Sequence, residues 1–322
     1  MKGFLSRHGF LAGLAAVAVL VLWNPGGVPA SAGLWLKAHR APDVIIAVIF
    51  LLAGLRLSVR AAAAGAADGP VVALGLVSVF VLSPAVAAGF SLLPLAPGLL
   101  VGLALVAAMP TTLTTGVVMT AAAGGNEATA LVITLAANAL AVAVVPVLLP
   151  VLVGTAGRIP PELFHRGELA LRIAGLVLAP LAAGMLVRAR FPAACDRWAP
   201  LARTASLVLV VTMVGIGMAG SRAALLRRPA DLAVAAGVSA AYHGAVLALL
   251  FAAVRVLRIG PGRREAAIFL GGQKTLPLAV LLQTTLFPGV GEALVVCVGH
   301  HLVHLLMDGY LVGRLRARNE TA

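Results

Sequence analysis

The chain has 322 residues, 61% of them hydrophobic and only 11% charged. Soluble domains run about 45–50% apolar and about 25% charged, so a water-soluble enzyme, a disordered protein and a nucleic-acid binder are excluded. The net charge of +13 rests on 24 basic residues scattered between apolar runs, a pattern that reads as loop charges orienting a membrane protein.

A helix needs roughly 20 apolar residues to cross a hydrocarbon core of ~30 Å. Breaking the chain at charges and Gly/Pro clusters predicts ten spans, at about 9–23, 42–57, 70–93, 98–123, 128–150, 168–188, 203–220, 231–254, 265–287 and 291–313. The segments are continuously apolar instead of alternating, which excludes a β-barrel. Outside the spans, fifteen basic residues fall on the side of the N-terminus, from Lys2 to Arg318. Eight fall on the other: Lys37, Arg40, Arg158, Arg166, Arg172, Arg222, Arg227 and Arg228. That bias predicts both termini in the cytoplasm and supports an even number of spans. The first span also carries the marks of a cleavable signal peptide: Lys2 and Arg7, an apolar run, then Ala30-Ser31-Ala32. Cleavage would leave nine spans and reverse the charge bias, so an uncleaved first helix is expected. Arginine dominates over lysine, and Ala, Val, Gly and Pro abound, a usage that suggests a GC-rich bacterium and hence its inner membrane.

Spans 4 and 9 are interrupted near their middles. Span 4 reads Met109-Pro110-Thr111-Thr112-Leu113-Thr114-Thr115-Gly116, and span 9 reads Gly271-Gly272-Gln273-Lys274-Thr275-Leu276-Pro277. The breaks lie about 162 positions apart, each in the fourth span of a five-span half (9–150 and 168–313). Five is odd, so the halves are expected as inverted repeats. Pro110 and Pro277 each remove a backbone donor, and unpaired backbone groups cannot face lipid. Paired interrupted helices are the sequence pointer to a transporter's binding site, with Pro110, Gly271, Gly272 and Pro277 as the helix-breaking residues.

At these residues the chain resembles the bile acid:sodium symporter superfamily, and most nearly its SBF-like bacterial branch, which is similar to the seventh member of vertebrate solute carrier family 10. The resemblance is carried by Met109-Pro110-Thr111-Thr112 through Gly124-Gly125-Asn126 to Asn138, and by Gly271-Gly272-Gln273-Lys274-Thr275. It implies an all-α polytopic membrane protein of ten transmembrane helices, with broken helices 4 and 9 crossing. It also implies a panel of helices 1, 2, 6 and 7, a core of helices 3–5 and 8–10, and elevator-like movement of one against the other.

The departures are as informative. Where sodium-coupled members carry a glutamate four residues before the span-9 glutamine, this chain has Phe269, and where they carry an asparagine after it, Lys274. A serine–asparagine pair on helix 4 becomes Thr115 and Gly116, while a helix-5 threonine ligand is kept as Thr134. Arsenite permeases of the superfamily place a cysteine where Met109 stands, so arsenite export is not expected. Sodium coupling is therefore doubtful, and Na⁺ or H⁺ is the candidate coupling ion.

Lys274 stands at membrane mid-depth, where a lysine costs at least ~2.5–3.5 kcal/mol and is by default functional. Its ammonium is expected either to occupy the vacated cation site, tethered to span-4 carbonyls or to Thr111, Thr112 and Thr115, or to exchange protons. Gln273, Thr275 and these threonines supply neutral donors and acceptors suited to an organic anion. Thr134 and Asn138 share a face of span 5, and Asn126 is expected to cap that span. His300, His304 and Asp308 recur at i, i+4 and i+8 on span 10, a spacing that suits a proton relay, with Asp308 orienting an imidazole. The same trio could serve an intramembrane metal-dependent enzyme, although the zincin glutamate is missing. Tyr242-His243 on span 8 is open between the same roles, and Cys195 and Cys297 read as a loop thiol and a buried small hydrophobe. The expected function is secondary transport of a small organic anion, with neither catalytic residue nor resident metal. The alternatives are that enzyme or a non-transporting regulator of the same fold. Membrane lipid and the anion are the expected partners; substrate identity and oligomeric state are not readable.

Overall fold

The computed structural model describes residues 2–57, 68–155, 164–227 and 230–320; Arg60, one of the fifteen basic residues on the N-terminal side, and Arg158 and Arg228 of the other eight lie outside them. Among the described residues there are helices and no strands. In chain order they are α1 (Lys2–Trp23), α2 (Val28–Ala38), α3 (Ala41–Gly54), α4 (Gly69–Phe90), α5 (Pro97–Ala108), α6 (Thr115–Ala122) and α7 (Glu127–Thr155). There follow α8 (Arg166–Arg190), α9 (Pro192–Arg227), α10 (Ala230–Val256), α11 (Arg264–Gly272), α12 (Leu276–Leu286) and α13 (Gly291–Glu320). Each predicted span coincides with one of these helices or with a broken pair. Among the described residues, α4, α7, α8, α9, α10, α13 and the α11–α12 stretch make seven candidates long and apolar enough to cross a membrane, or eight if the bent α1–α2 pair is one span, while α3 and α5 are shorter apolar helices.

Three differences from the sequence reading have local causes. Residues 28–38, expected as loop, form α2, turned 94° from α1. Asn24, Gly26 and Gly27 take positive φ at the corner, which favours glycine, and the Asn24 side chain accepts the Ala30 N–H at 2.9 Å. Span 7 was expected to begin at 203, yet α9 starts at Pro192, because proline suits the first turn of a helix and the loop shrinks to a bend at Phe191. Span 10 was expected to end near 313, but α13 runs to Glu320, which moves Asp308 well inside the helix.

Helix α3 lies against α8, α1 and α2 against α9, α10 and α5 on α13, and α4 on α11, while α9 also packs on α13 and α12, and α8 on α7. Gly54 and Gly184 bring α3 and α8 so close that a Cβ on either would stand 2.3 Å from a backbone oxygen of the other. The broken helices form the centre. Every residue of α5 from Leu99 onward is buried, and so is every residue from Arg264 to Leu286 except Arg264, Pro277, Thr285 and Leu286. Surrounded on all sides, the broken backbone can be satisfied by protein groups instead of facing lipid.

Candidate functional site: the meeting of two broken helices

The two breaks touch. Helix α5 ends at Ala108, and Met109 is extended (φ −71°, ψ 149°); α11 ends at Gly272, and Gln273 is extended in the same way (φ −79°, ψ 148°). The Thr275 N–H donates to the Pro110 carbonyl at 2.9 Å, and the Thr112 hydroxyl donates to Gln273 Oε1 at 2.7 Å. Backbone groups released by each break are thus taken up by the other. Gly271 and Gly272 are the last residues of α11, and Pro277 lies in the first turn of α12. The unwound stretch is therefore Gln273–Thr275, with Pro277 opening the second half-helix instead of breaking the first.

Lys274, 2% exposed, points its ammonium into the gap. It donates to the carbonyls of Val79 at 2.7 Å, Ala107 at 3.0 Å and Met109 at 3.0 Å, which uses all three of its N–H donors. Ala107 and Met109 lie at the C-terminal end of α5, where unpaired carbonyls gather partial negative charge. Val79 comes from a π-helical turn, Ser78–Leu82, inside α4, the kind of irregularity that recurs at functional sites. Ser78 fixes that turn by donating to the Gly271 carbonyl at 3.0 Å; a Cβ on Gly271 would sit 2.9 Å from Ser78 Cβ. The carbonyl tether matches one expectation for Lys274, with two differences. A third acceptor comes from span 3, and no threonine hydroxyl is among the acceptors found for it.

A second polar group adjoins the first. Gln273 Nε2 donates to Asp308 Oδ2 at 2.8 Å, and His243 Nε2 lies 3.0 Å from Asp308 Oδ1. Asp308 was expected to orient an imidazole of its own helix; the ring it holds belongs to α10. Residues four apart on one helix stack along its axis, whereas Asp308 reaches sideways to its neighbour. His300 and His304 complete the group, with ring centroids 5.4 and 5.9 Å from that of His243. His243, His304, Asp308 and Gln273 are 0% exposed and His300 1%. Tyr242 bonds the Ser83 hydroxyl.

The remaining sequence candidates divide. Asn138 donates to the Thr134 carbonyl at 2.9 Å and reaches the Thr111 carbonyl at 3.5 Å. The hydroxyls of Thr111 and Thr134 and Oδ1 of Asn138 are buried with no partner among the described residues. Thr115 opens α6 and is half-buried. Asn126 Oδ1 accepts the Thr129 N–H at 3.1 Å, the capping contact expected of it. Among the described residues no group of three His, Cys, Asp or Glu side chains is placed to hold a metal ion. Ser78, Val79 and Ser83 carried no sequence signal, because their role comes from the π-turn. An Arg264–Glu265–Asn319 group, of which Glu265 is buried, closes one end of the bundle, where Asn319 also donates to the Ala123 carbonyl at 3.0 Å. At the same end the guanidinium of Arg263 clasps Asp68 at 2.7 and 2.8 Å and holds its carboxyl below the usual range.

The profile of the SBF-like CPA transporter family matches residues 8–317, nearly the whole chain. The chain belongs to that family. Members of the SBF-like family are transporters, so an enzymatic use of His300, His304 and Asp308 gives way. Curated relatives include the "Probable sodium/metabolite cotransporter BASS4, chloroplastic" of Arabidopsis thaliana, 29% identical over 281 residues, covering 82% of this chain and 63% of that protein. Its counterpart from Oryza sativa subsp. indica is 29% identical over 292 residues, covering 84% and 68%. An uncharacterized Pseudomonas aeruginosa protein is 26% identical over 338 residues, covering 99% and 96%. The chain thus spans just under two thirds of the Arabidopsis protein's length.

Proposed function

We propose that this SBF-like chain is a secondary transporter of a small organic anion in a bacterial inner membrane, with both termini cytoplasmic. The proposal takes ten transmembrane helices as two inverted repeats, 9–150 and 168–313. The panel is α1, α3, α8 and α9; the core is α4–α7 and α10–α13. One group slides against the other, elevator-like. The names of the plant relatives support cotransport of a metabolite. A pocket of about 210 Å³ between the start of α8 and the end of α12, lined by His165, Glu168, Arg172 and Phe287 among others, lies where these groups meet.

The observation that carries the reading is the Lys274 ammonium seated on three carbonyls between two half-helices. A built-in cation there leaves the N-terminal end of α12, partially positive, to face an anion. The unpartnered oxygens of Thr111, Thr134 and Asn138 supply further polar contacts. The test is uptake of a panel of labelled carboxylates and sulfate esters into proteoliposomes. At least one anion should accumulate, and Thr112→Val, which removes the hydrogen bond to Gln273, should slow uptake about tenfold, as loss of ~1–1.5 kcal/mol implies. Absence of uptake of every anion, in a preparation shown to be folded and inserted, overturns the reading in favour of a non-transporting regulator.

A further inference from the structure

The His243–Asp308 pair is unexplained by a lysine that substitutes for a cation. It is bonded to Gln273, the chain neighbour of Lys274, yet belongs to a separate set of contacts. The hydrogen bonds of that set run in one direction. The Gly116 N–H, in the first turn of α6, donates to Thr112 Oγ1 at 3.1 Å; Thr112 donates to Gln273 Oε1 at 2.7 Å; Gln273 donates to Asp308 Oδ2 at 2.8 Å. A chain of aligned bonds polarises each member, so the partial positive end of α6 is wired to a carboxylate on α13 across the break of α11–α12.

Asp308 is fully buried, and an unaccompanied carboxylate in such a place costs several kcal/mol. Its other oxygen, Oδ1, lies 3.0 Å from the His243 Nε2 atom. The titratable groups beside the pair are His300 and His304 from α13, with ring centroids 5.4 and 5.9 Å from that of His243; next beyond them come Tyr242 from α10, against His300, and His301, against His304, while the Lys274 ammonium of the α11–α12 break is held on its own carbonyls. His304 Nδ1 and Nε2, His300 Nε2 and His243 Nδ1 are buried without a hydrogen-bond partner among the described residues. Ring nitrogens of this kind accept and pass protons, whereas hard cations such as Na⁺ favour oxygen ligands.

We propose that the His243–Asp308 pair binds and releases one proton per transport cycle, as the coupling ion of this transporter. Taking a proton from water moves the pair from a net charge of −1 to neutral, with the proton held between His243 Nε2 and Asp308 Oδ1, and release reverses it. Loading draws charge from Asp308 and weakens its bond from Gln273, which loosens the Thr112–Gln273 tie between the breaks. Unloading tightens it. The proposal rests on the transporter reading, but its test needs no transported substrate.

Proteoliposomes carrying the full chain are adsorbed on a solid-supported membrane and stepped from neutral to mildly acidic buffer with no organic anion present. Wild-type protein should give a saturating charge-displacement transient that is unchanged by a chelator. Asp308→Asn and His243→Gln should each reduce it to the level of protein-free liposomes, while Glu320→Gln, at the exposed end of α13, should keep it. Infrared difference spectra of wild-type protein labelled with ¹³C-aspartate should show a protonated carboxyl band rising across the same step, so the result does not hang on the folding of the variants. No wild-type transient, or one that both variants keep, overturns the proposal. A transient abolished by the chelator also overturns it, by making the cluster a metal site. A pH transient without transport of any anion leaves the proton site standing and removes the proposed function; anion uptake undiminished in both pH-silent variants does the reverse.

Discussion

The backbone N–H of Thr275 is bonded to the backbone carbonyl of Pro110 at 2.9 Å, so the two breaks are fastened by a contact that no side chain supplies. Its removal requires removal of the donor. Thr275→Pro should therefore cost more than the hydrogen bond itself, because the Pro110 carbonyl is left buried and unpaired, a loss of ~1–3 kcal/mol. Thr275→Ala and Thr275→Ser keep the N–H and should stay near wild type. Thermal unfolding of the three variants in detergent, compared side by side, checks this.

The close approach of α3 and α8 gives a second prediction. A Cβ on Gly184 would stand 2.3 Å from the Leu51 carbonyl, and a helix backbone cannot yield as a flexible side chain does. Gly184→Val should destabilise by ~1–3 kcal/mol through overpacking. Gly175→Ala, on the same helix but with open space around it, should be tolerated. A melting temperature for Gly184→Val equal to wild type would contradict the packing of these two helices.

The apolar runs, both breaks and the singular lysine are all legible in the sequence, because length, proline and misplaced charge each leave a residue-level mark. The acceptors of Lys274 are not. Val79 is an ordinary apolar residue whose carbonyl is exposed to the lysine by a π-turn, and backbone acceptors have no letter of their own. His300, His304 and Asp308 are visible as a helical stripe, yet Asp308 binds His243 on another helix, a pairing that periodicity within one helix cannot reach. Helix α2 is hidden for the opposite reason: its Gly and Pro residues read as loop, although they make the corner that starts it.

At the bundle end that carries Asp68, pH gives a further test. Arg263 hydrogen-bonds Asp68 and lowers its pKa below that of the unfolded chain. A carboxylate with a depressed pKa adds stability that is complete above its unfolded value, about 3.9, and is lost as pH falls through the lower folded value. Asp68→Asn should therefore be less stable than wild type at neutral pH, with the gap closing below about pH 4. Arg263 is exposed on its far side, so high salt should narrow the gap as well. Unfolding of both proteins across pH and salt reads both trends.

Orientation can be read with reporter fusions. Fusions after Arg318 and at Gly124 should report the cytoplasm, and those in the Ser91–Leu95 turn the opposite face. Residues 91 and 124 flank the broken α5–α6 pair, so reports from the same side would mean that this pair is re-entrant, and the ten-span count would fall with it.

The last prediction concerns sodium. The Lys274 ammonium occupies three carbonyls, and Phe269, 0% exposed, stands where the resemblance to the symporter superfamily implies a glutamate in sodium-coupled members. A second cation ~4 Å from the ammonium would meet a repulsion of about 4 kcal/mol at an effective dielectric of 20, with no carboxylate to offset it at Phe269. Sodium should therefore leave the melting temperature of the purified wild-type protein unchanged relative to choline at equal ionic strength. A ligand that binds only the folded state raises stability by about 2.7 kcal/mol at a hundredfold excess over its Kd, a shift readily seen. Lys274→Met should be strongly destabilised in either salt, since it leaves three buried carbonyls unpaired at ~1–3 kcal/mol each. The double variant Phe269→Glu with Lys274→Asn removes the ammonium and adds a carboxylate, and it should gain a sodium-dependent rise that the wild type lacks. If wild-type protein is already stabilised by sodium, the ammonium is not the cation's substitute, and the unpartnered Thr134 hydroxyl with the half-buried Thr115 would be the first oxygens to replace.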